Sequence, residues 1–297
     1  MTTADATHRG RLLIVAAAVM WSLSGFFVKS PPLQALPDAT AGPTIGMWRC
    51  AFAALFLLPF VRWRRLRWHP ALLPMVLSFA SMNLLLMWSM TRTTAANAIL
   101  LQYTAPLWMV IGAVLLLGEK LEKRSLAALA LGMVGMAVIL VTFWGGTEAA
   151  GVLMGLGAGV SYAGVVLSLR VLRQHDPFVL VFLNHAVSAL VLIPWILASG
   201  APLPSSGQLA VLAAFGLIQM AAPYVIFARG IARVSPQEAG VITLLEPVIN
   251  PLWVFLFWRE PVHGATIIGG GLIVLGLLVR YLPGRKTSGG GGGRTTT

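Results

Sequence analysis

The chain has 297 residues, of which 58% are hydrophobic and only 10% charged, with a mean hydropathy of +0.84 and a formal net charge of +12. Soluble domains carry about 25% charged residues, so this composition excludes a water-soluble globule and points to lipid as the solvent. The positive charge does not indicate nucleic acid, because the basic residues fall between apolar stretches and no basic patch is interleaved with stacking aromatics.

Residues 1–11 form a polar tail holding Arg9 and Arg11. Ten apolar stretches follow, at about 12–29, 43–61, 71–91, 95–117, 125–143, 150–169, 177–198, 208–228, 238–258 and 262–282. Each is near the roughly 20 residues that cross a bilayer core. The first is too long for a signal-peptide core and lacks a clear cleavage site, so no removed leader is expected. The lone Cys50 lies inside the second, which excludes an intramolecular disulfide or a cysteine metal cluster. The connections are short, and residues 284–297, rich in glycine, are expected to be a disordered tail. The expected class is an all-α integral membrane protein. Nearly all Lys and Arg fall on one side of the ten crossings; Lys29, Arg92 and Arg259 fall on the other, and Arg49 within a span. By the positive-inside rule both termini should be cytoplasmic. Trp63, Trp68, Trp144 and Trp258 sit at span ends, as interfacial tryptophans do.

The chain is written twice. The stretch 95–120, AANAILLQYTAPLWMVIGAVLLLGEK, returns at 236–261 as PQEAGVITLLEPVINPLWVFLFWREP, with Pro106 and Pro247, and Glu119 and Glu260, each 141 positions apart. The same offset pairs Trp21 with Tyr162, Arg92 with Arg233 and Gly135 with Gly276, while an offset of 135 pairs Pro59 with Pro194 and Arg49 with Asn184. Residues 12–145 and 146–283 therefore read as two five-helix repeats. Five is odd, so the second repeat must be inverted, and inverted repeats supply two near-equal conformations for alternating access.

Polar groups inside the spans are the candidate chemistry. In chain order, Trp21 and Tyr162 hold equivalent places, the latter on a face with Gly151, Gly155 and Gly159. Arg49 lies about 10 Å inside its span at 1.5 Å per residue. It either snorkels to the outer interface or meets a substrate carboxylate or Glu246. Asn83, Met87 and Met90 share a helix face. Asn97 reads as an interfacial cap. Gln102 and Tyr103 precede Pro106 by about one turn, where broken helices build substrate sites. Asn184 and His185 occupy the region matching Arg49, and His185 is a candidate pH-sensitive group. Gln219 and Tyr224 flank Pro223. Thr243, Glu246 and Asn250 recur at i, i+3 and i+7, one helix face. Glu246 is either a ligand or proton carrier, or a structural partner for the carbonyl that Pro247 frees.

The A-P-L-W at 105–108 with L-L-G-E at 116–119, and L-E-P-V at 245–248 with Glu260, resemble the drug/metabolite transporter superfamily and its EamA-type exporters. The resemblance covers about 12–283 and departs at Arg259, where the family has glycine. It implies ten helices in two inverted halves and export of amino acids or related metabolites, as in aromatic amino acid exporters of the YddG type.

No H-E-x-x-H, G-x-S-x-G or G-x-x-x-x-G-K-[ST] occurs, so no enzyme, ATP-driven step, cofactor or metal is expected. The expectation is a secondary transporter of the bacterial inner membrane that exports small amino acid-like metabolites, acting as a monomer or weak homodimer. Its candidate substrate-binding residues are Trp21, Asn83, Met87, Gln102, Tyr103, Tyr162, Gln219, Tyr224, Thr243, Glu246 and Asn250. The alternatives are a nucleotide-sugar, sugar-phosphate or drug carrier, and a passive channel.

Overall fold

The computed structural model describes residues 3–65, 67–117, 123–234 and 236–281, and its regular structure there is helical throughout. Gly118, Glu119 and the 284–297 tail lie outside the described residues. Among the described residues nine segments are long and apolar enough to cross a membrane, and Gly264–Arg280 is a shorter apolar helix at the place of the tenth. The crossings are α1 (Thr3–Trp21, resuming as Ser24–Val28), α2 (Asp38–Leu57), α3 (Leu72–Arg92), α4 (Ala95–Gln102 and Ala105–Leu117) and α5 (Lys123–Phe143). Then come α6 (Ala149–Val171), α7 (Pro177–Ala198), α8 (Ser206–Phe215 through Ala222–Ile231), α9 (Pro236–Thr243 and Leu245–Trp258) and α10 (Gly264–Tyr281). Large apolar side chains such as Val141, Leu190 and Leu197 lie exposed on the outside, the surface expected against lipid. Trp63, Trp68 and Trp144 are exposed at helix ends, whereas Trp258 is turned inward and donates to the Phe26 carbonyl.

Proline chemistry sets two of the breaks. Pro106 and Pro247 have no N–H for the carbonyls of Gln102 and Thr243 four residues earlier, and α4 and α9 are interrupted there. The Thr243 carbonyl so released lies 3.2 Å from the Tyr103 hydroxyl. Two further irregularities were not expected. Helix α1 breaks at Ser22–Leu23, and α8 carries a π-helical turn over Gly216–Ala221, just before Pro223. The polar tail also differs from expectation, since α1 is already helical from Thr3. Its Gly10 packs tightly on Arg233 and Val234, and Arg11 pairs with Glu238, so tertiary contact extends the helix.

Packing follows the repeat. Helix α3 packs on α6 as α8 packs on α1, while α2 pairs with α7 and α5 with α10. Single residues obey the offset of 141. Gly151 meets the Arg92 backbone as Gly10 meets Arg233, and Gly135 faces the Gly269 carbonyl as Gly276 faces that of Ala128. The seam even swaps its small residue: Gly155 admits Ser89 on one side, and Gly230 admits Ile14 on the other. Arg11 meeting Glu238 places the start of the first repeat at one end, and Thr93 donating to Glu148 places the start of the second at the opposite end. The repeats are thus inverted.

Arg259 closes α9 with φ +56° and ψ +23°. This left-handed cap position ordinarily favours glycine, which explains glycine as the residue expected there.

Candidate functional site

Three interruptions converge on the middle of the bundle: the α1 break after Trp21, the α4 break at Tyr103 and the π-turn containing Gln219. Together with α2, α3, α6 and α9 they line a cavity of about 110 Å³. Seven of the sequence candidates line it: Trp21, Gln102, Tyr103, Tyr162, Gln219, Tyr224 and Glu246. Both repeats contribute to its wall.

The other four sit elsewhere. Asn83 is fully buried in the layer behind the wall. Asn250 is also buried and donates to Ser24 Oγ at 2.7 Å. Thr243 lines a second cavity of about 210 Å³ between α4, α6, α9 and α10. Met87 packs in the core with Ile45 and Phe215, so the adaptable methionines at the cavity are Met82 and Met220 instead. The Leu244 break explains why Thr243 parts from Glu246, since helical spacing does not carry across it.

Ser24, Arg49, Met82, Leu86 and Met220 complete the wall and were absent from the candidate set. The serine had a visible signal in the small, polar run Trp21–Ser–Leu–Ser–Gly25. Its hydroxyl takes the Asn250 amide, and Ser22 Oγ takes the Trp253 indole N–H at 2.9 Å, so α9 fixes the α1 break.

Arg49 does not snorkel. It is 1% exposed, with Nε and Nη2 donating to Asn83 Oδ1 at 3.0 and 2.6 Å and Nη1 lying 3.4 Å from Gln219 Oε1. Its guanidinium stands 5.0 Å from the Phe215 ring centroid. Asn83 is held in turn, donating to the Gly46 carbonyl at 3.1 Å and to Ser188 Oγ at 2.8 Å. Gln219 also donates to the Trp21 carbonyl at 3.1 Å, which ties Arg49 to the end of the first α1 segment.

Glu246, also in the cavity wall, accepts from the Tyr103 hydroxyl at 2.7 Å. The carboxylate begins the second segment of α9, where the exposed N–H groups of a helix start favour negative charge. Trp21 meets Tyr224 edge to face at 5.2 Å, and Tyr224 meets His185 at 5.8 Å. His185 Nδ1 donates to the Val181 carbonyl at 2.7 Å; it and the buried Asn184 lie outside the cavity lining. No group of three or more His, Cys, Asp or Glu able to hold a metal exists among the described residues.

The two cavities share Tyr103 and Tyr162, and the second leads toward the end that carries Arg11 and Arg280. The opposite end is clasped. Lys29 Nζ meets Glu260 Oε2 at 2.7 Å and the Thr93 carbonyl at 2.9 Å, while Glu260 Oε1 accepts the first N–H of α4, that of Ala95, at 2.8 Å. Asn97 is fully buried rather than interfacial and accepts from Thr266 Oγ at 2.7 Å; the cap of α4 is Thr94. Charge-assisted hydrogen bonds contribute about 1.5–3 kcal/mol each. Glu260→Gln is therefore expected to speed maleimide labelling of Ser24→Cys, in a Cys50→Ser background, about tenfold or more from the clasped face. An unchanged labelling rate would show that the clasp does not hold this end shut.

The EamA-like transporter family model matches residues 8–141 and again 149–282. An uncharacterized transporter of Archaeoglobus fulgidus is 32% identical over 190 residues, 64% of this chain and 68% of that protein. The pseudopaline exporter CntI of Pseudomonas aeruginosa is 26% identical over 91% of this chain and 95% of its own. A riboflavin transporter of Rhizobium johnstonii is 27% identical over 89% of this chain and 88% of its own. A solved crystal structure superimposes with a TM-score of 0.63 over 94% of this chain and 97% of that one, at 19% identity, and shares the fold. With an inverted pair of helical repeats around a central cavity, and a family model matched twice, this chain belongs to the EamA-like transporter family, a family of membrane transporters rather than enzymes.

Proposed function

We propose that the protein exports amino acid-like metabolites with aromatic or large apolar side chains, by alternating access of its two repeats around the central cavity. The observation that carries this reading is a central cavity, walled by both repeats, that sets one carboxylate among aromatic rings. Glu246 receives the substrate ammonium. Trp21, Tyr162 and Tyr224 hold the apolar side chain, since aromatic faces recognise such groups by area and edge-to-face contact. Gln102 supplies further hydrogen bonds, and Tyr103 both orients Glu246 and, with Tyr162, separates the site from the second cavity. Turning those two tyrosines would join the cavities and admit a substrate. Asn83 and Asn250 act from behind the wall, Thr243 lines the route of entry, and Met87 supports the core around it. The excess of Lys and Arg at the end carrying residue 11 supports cytoplasmic termini and a cytoplasmic route of entry in this conformation. The export direction draws support from the similarity to the pseudopaline exporter.

A sugar-phosphate or nucleotide-sugar carrier fits less well, because doubly charged phosphate calls for several cationic side chains and the cavity wall contains one, Arg49. The decisive measurement is counterflow in proteoliposomes, with labelled tryptophan challenged by an unlabelled panel of amino acids, sugars and nucleotides. Saturable exchange accelerated by large apolar amino acids is expected. Ohmic single-channel current, or exchange driven only by phosphorylated sugars, would reject the proposal.

A further inference from the structure

We infer that Arg49, braced by Asn83 and Gln219, is a carboxylate-binding subsite that makes the transporter select substrates carrying a carboxylate. The inference rests on the reading of the central cavity as the substrate site.

Three observations meet at this residue. First, its charge is uncompensated. The pairs Arg11–Glu238 and Lys29–Glu260 lie at the ends of the bundle, whereas the side-chain partners of Arg49 are the uncharged Asn83 and Gln219. A guanidinium stays charged at neutral pH, so a cation stands alone in the middle of an apolar span. Secondly, its donors are only partly used. A guanidinium has five N–H groups; two donate to Asn83 and one reaches Gln219 at the long distance of 3.4 Å. The remaining donors are left on a side chain that lines the cavity. Thirdly, the group is preorganised. Asn83 is anchored at two points and Phe215 lies beneath the guanidinium, so binding an anion requires little reordering.

A purely structural role accounts for these features less well. Burying a lone cation for packing is unfavourable compared with an apolar side chain of similar size, whereas an arriving carboxylate completes the hydrogen bonds and neutralises the charge. The planar fork of arginine suits two-point recognition of a carboxylate. Glu246 also lines the cavity, so its wall offers one basic and one acidic side chain. That arrangement matches a zwitterion, with its carboxylate at Arg49 and its ammonium at Glu246.

Three probes of one side-chain class separate the charges: tryptophan, tryptamine, which lacks the carboxylate, and indole-3-propionate, which lacks the ammonium. Each competes against labelled tryptophan in proteoliposomes containing wild type, Arg49→Gln or Arg49→Lys. In wild type, tryptamine is expected to compete at least about 10-fold more weakly than tryptophan, the lower end for a buried charge-assisted contact. Arg49→Gln should shrink that discrimination to about threefold or less, and Arg49→Lys should restore part of it. A folded Arg49→Gln protein, with an unchanged elution profile, that discriminates like wild type overturns the inference. If Arg49→Gln does not fold, the wild-type comparison decides alone, and equal competition by tryptophan and tryptamine overturns the inference while leaving the ammonium site at Glu246 standing. Competition by indole-3-propionate equal to that of tryptophan leaves the Arg49 subsite standing and removes the amino acid reading. Competition by none of the three removes both.

Discussion

Glu246→Gln is expected to lower transport of ammonium-bearing substrates by about 10- to 100-fold while the protein still folds. The side chain keeps its shape and an oxygen for the Tyr103 hydroxyl to donate to, so the contact that holds the α4 break to the α9 break survives. What disappears is the negative charge at the start of the second α9 segment. Since the Tyr103 contact is kept and a neutral amide is less unfavourable than a carboxylate inside a membrane span, the variant should melt close to wild type. The loss falls on substrate recognition, because a buried contact to a charged group contributes about 1.5–3 kcal/mol, and tenfold in affinity is about 1.4 kcal/mol. Counterflow kinetics should therefore show a raised half-saturation concentration with a smaller change in maximal rate. Wild-type kinetics at all imposed pH gradients would remove Glu246 from both substrate and proton handling.

Gly159→Ala is expected to damage the fold and the site together. A methyl group at Gly159 would stand 2.6 Å from the Leu101 carbonyl and 2.6 Å from Thr104 Oγ, and 3.2 Å from the Gln102 carbonyl. These atoms form the α4 break, and two of them are backbone, so no side chain can rotate away. Overpacking of this kind costs about 1–3 kcal/mol, and here the displacement runs directly into Gln102 and Tyr103. The measured melting temperature and the counterflow rate should both fall. Gly271→Ala supplies the contrast: nothing lies within 4 Å of its added methyl, and alanine favours a helix over glycine by about 1 kcal/mol, so it should be neutral or stabilising. Equal behaviour of the two variants would refute the close approach of α4 and α6.

Much of the candidate site is legible in the sequence. Gln102, Tyr103, Gln219, Tyr224 and Glu246 stood out because polar groups are rare in apolar spans and had prolines nearby, and all five line the cavity. Trp21 and Tyr162 stood out through the repeat. Arg49 was legible as an anomaly, but both its destinations were compatible with its depth, because burial depends on Asn83 and Gln219, which are 34 and 170 positions away. Met87 and Asn250 share faces with cavity residues yet turn into neighbouring helices, a distinction that helical periodicity does not contain.

Sequence alone determined the ten crossings, their inversion and the breaks at Pro106 and Pro247, because hydropathy, an odd number of spans per repeat and a missing N–H are local or countable properties. Tertiary structure alone decided that α1 breaks at Ser22, where Trp253 and Asn250 of α9 take up its serines, although the matching helix α6 runs unbroken. It alone decided that Lys29 and Glu260 clasp one end. Such features depend on which side chains meet across helices far apart in the chain, and the free energy that selects among those meetings lies in the packed contacts rather than in any one segment.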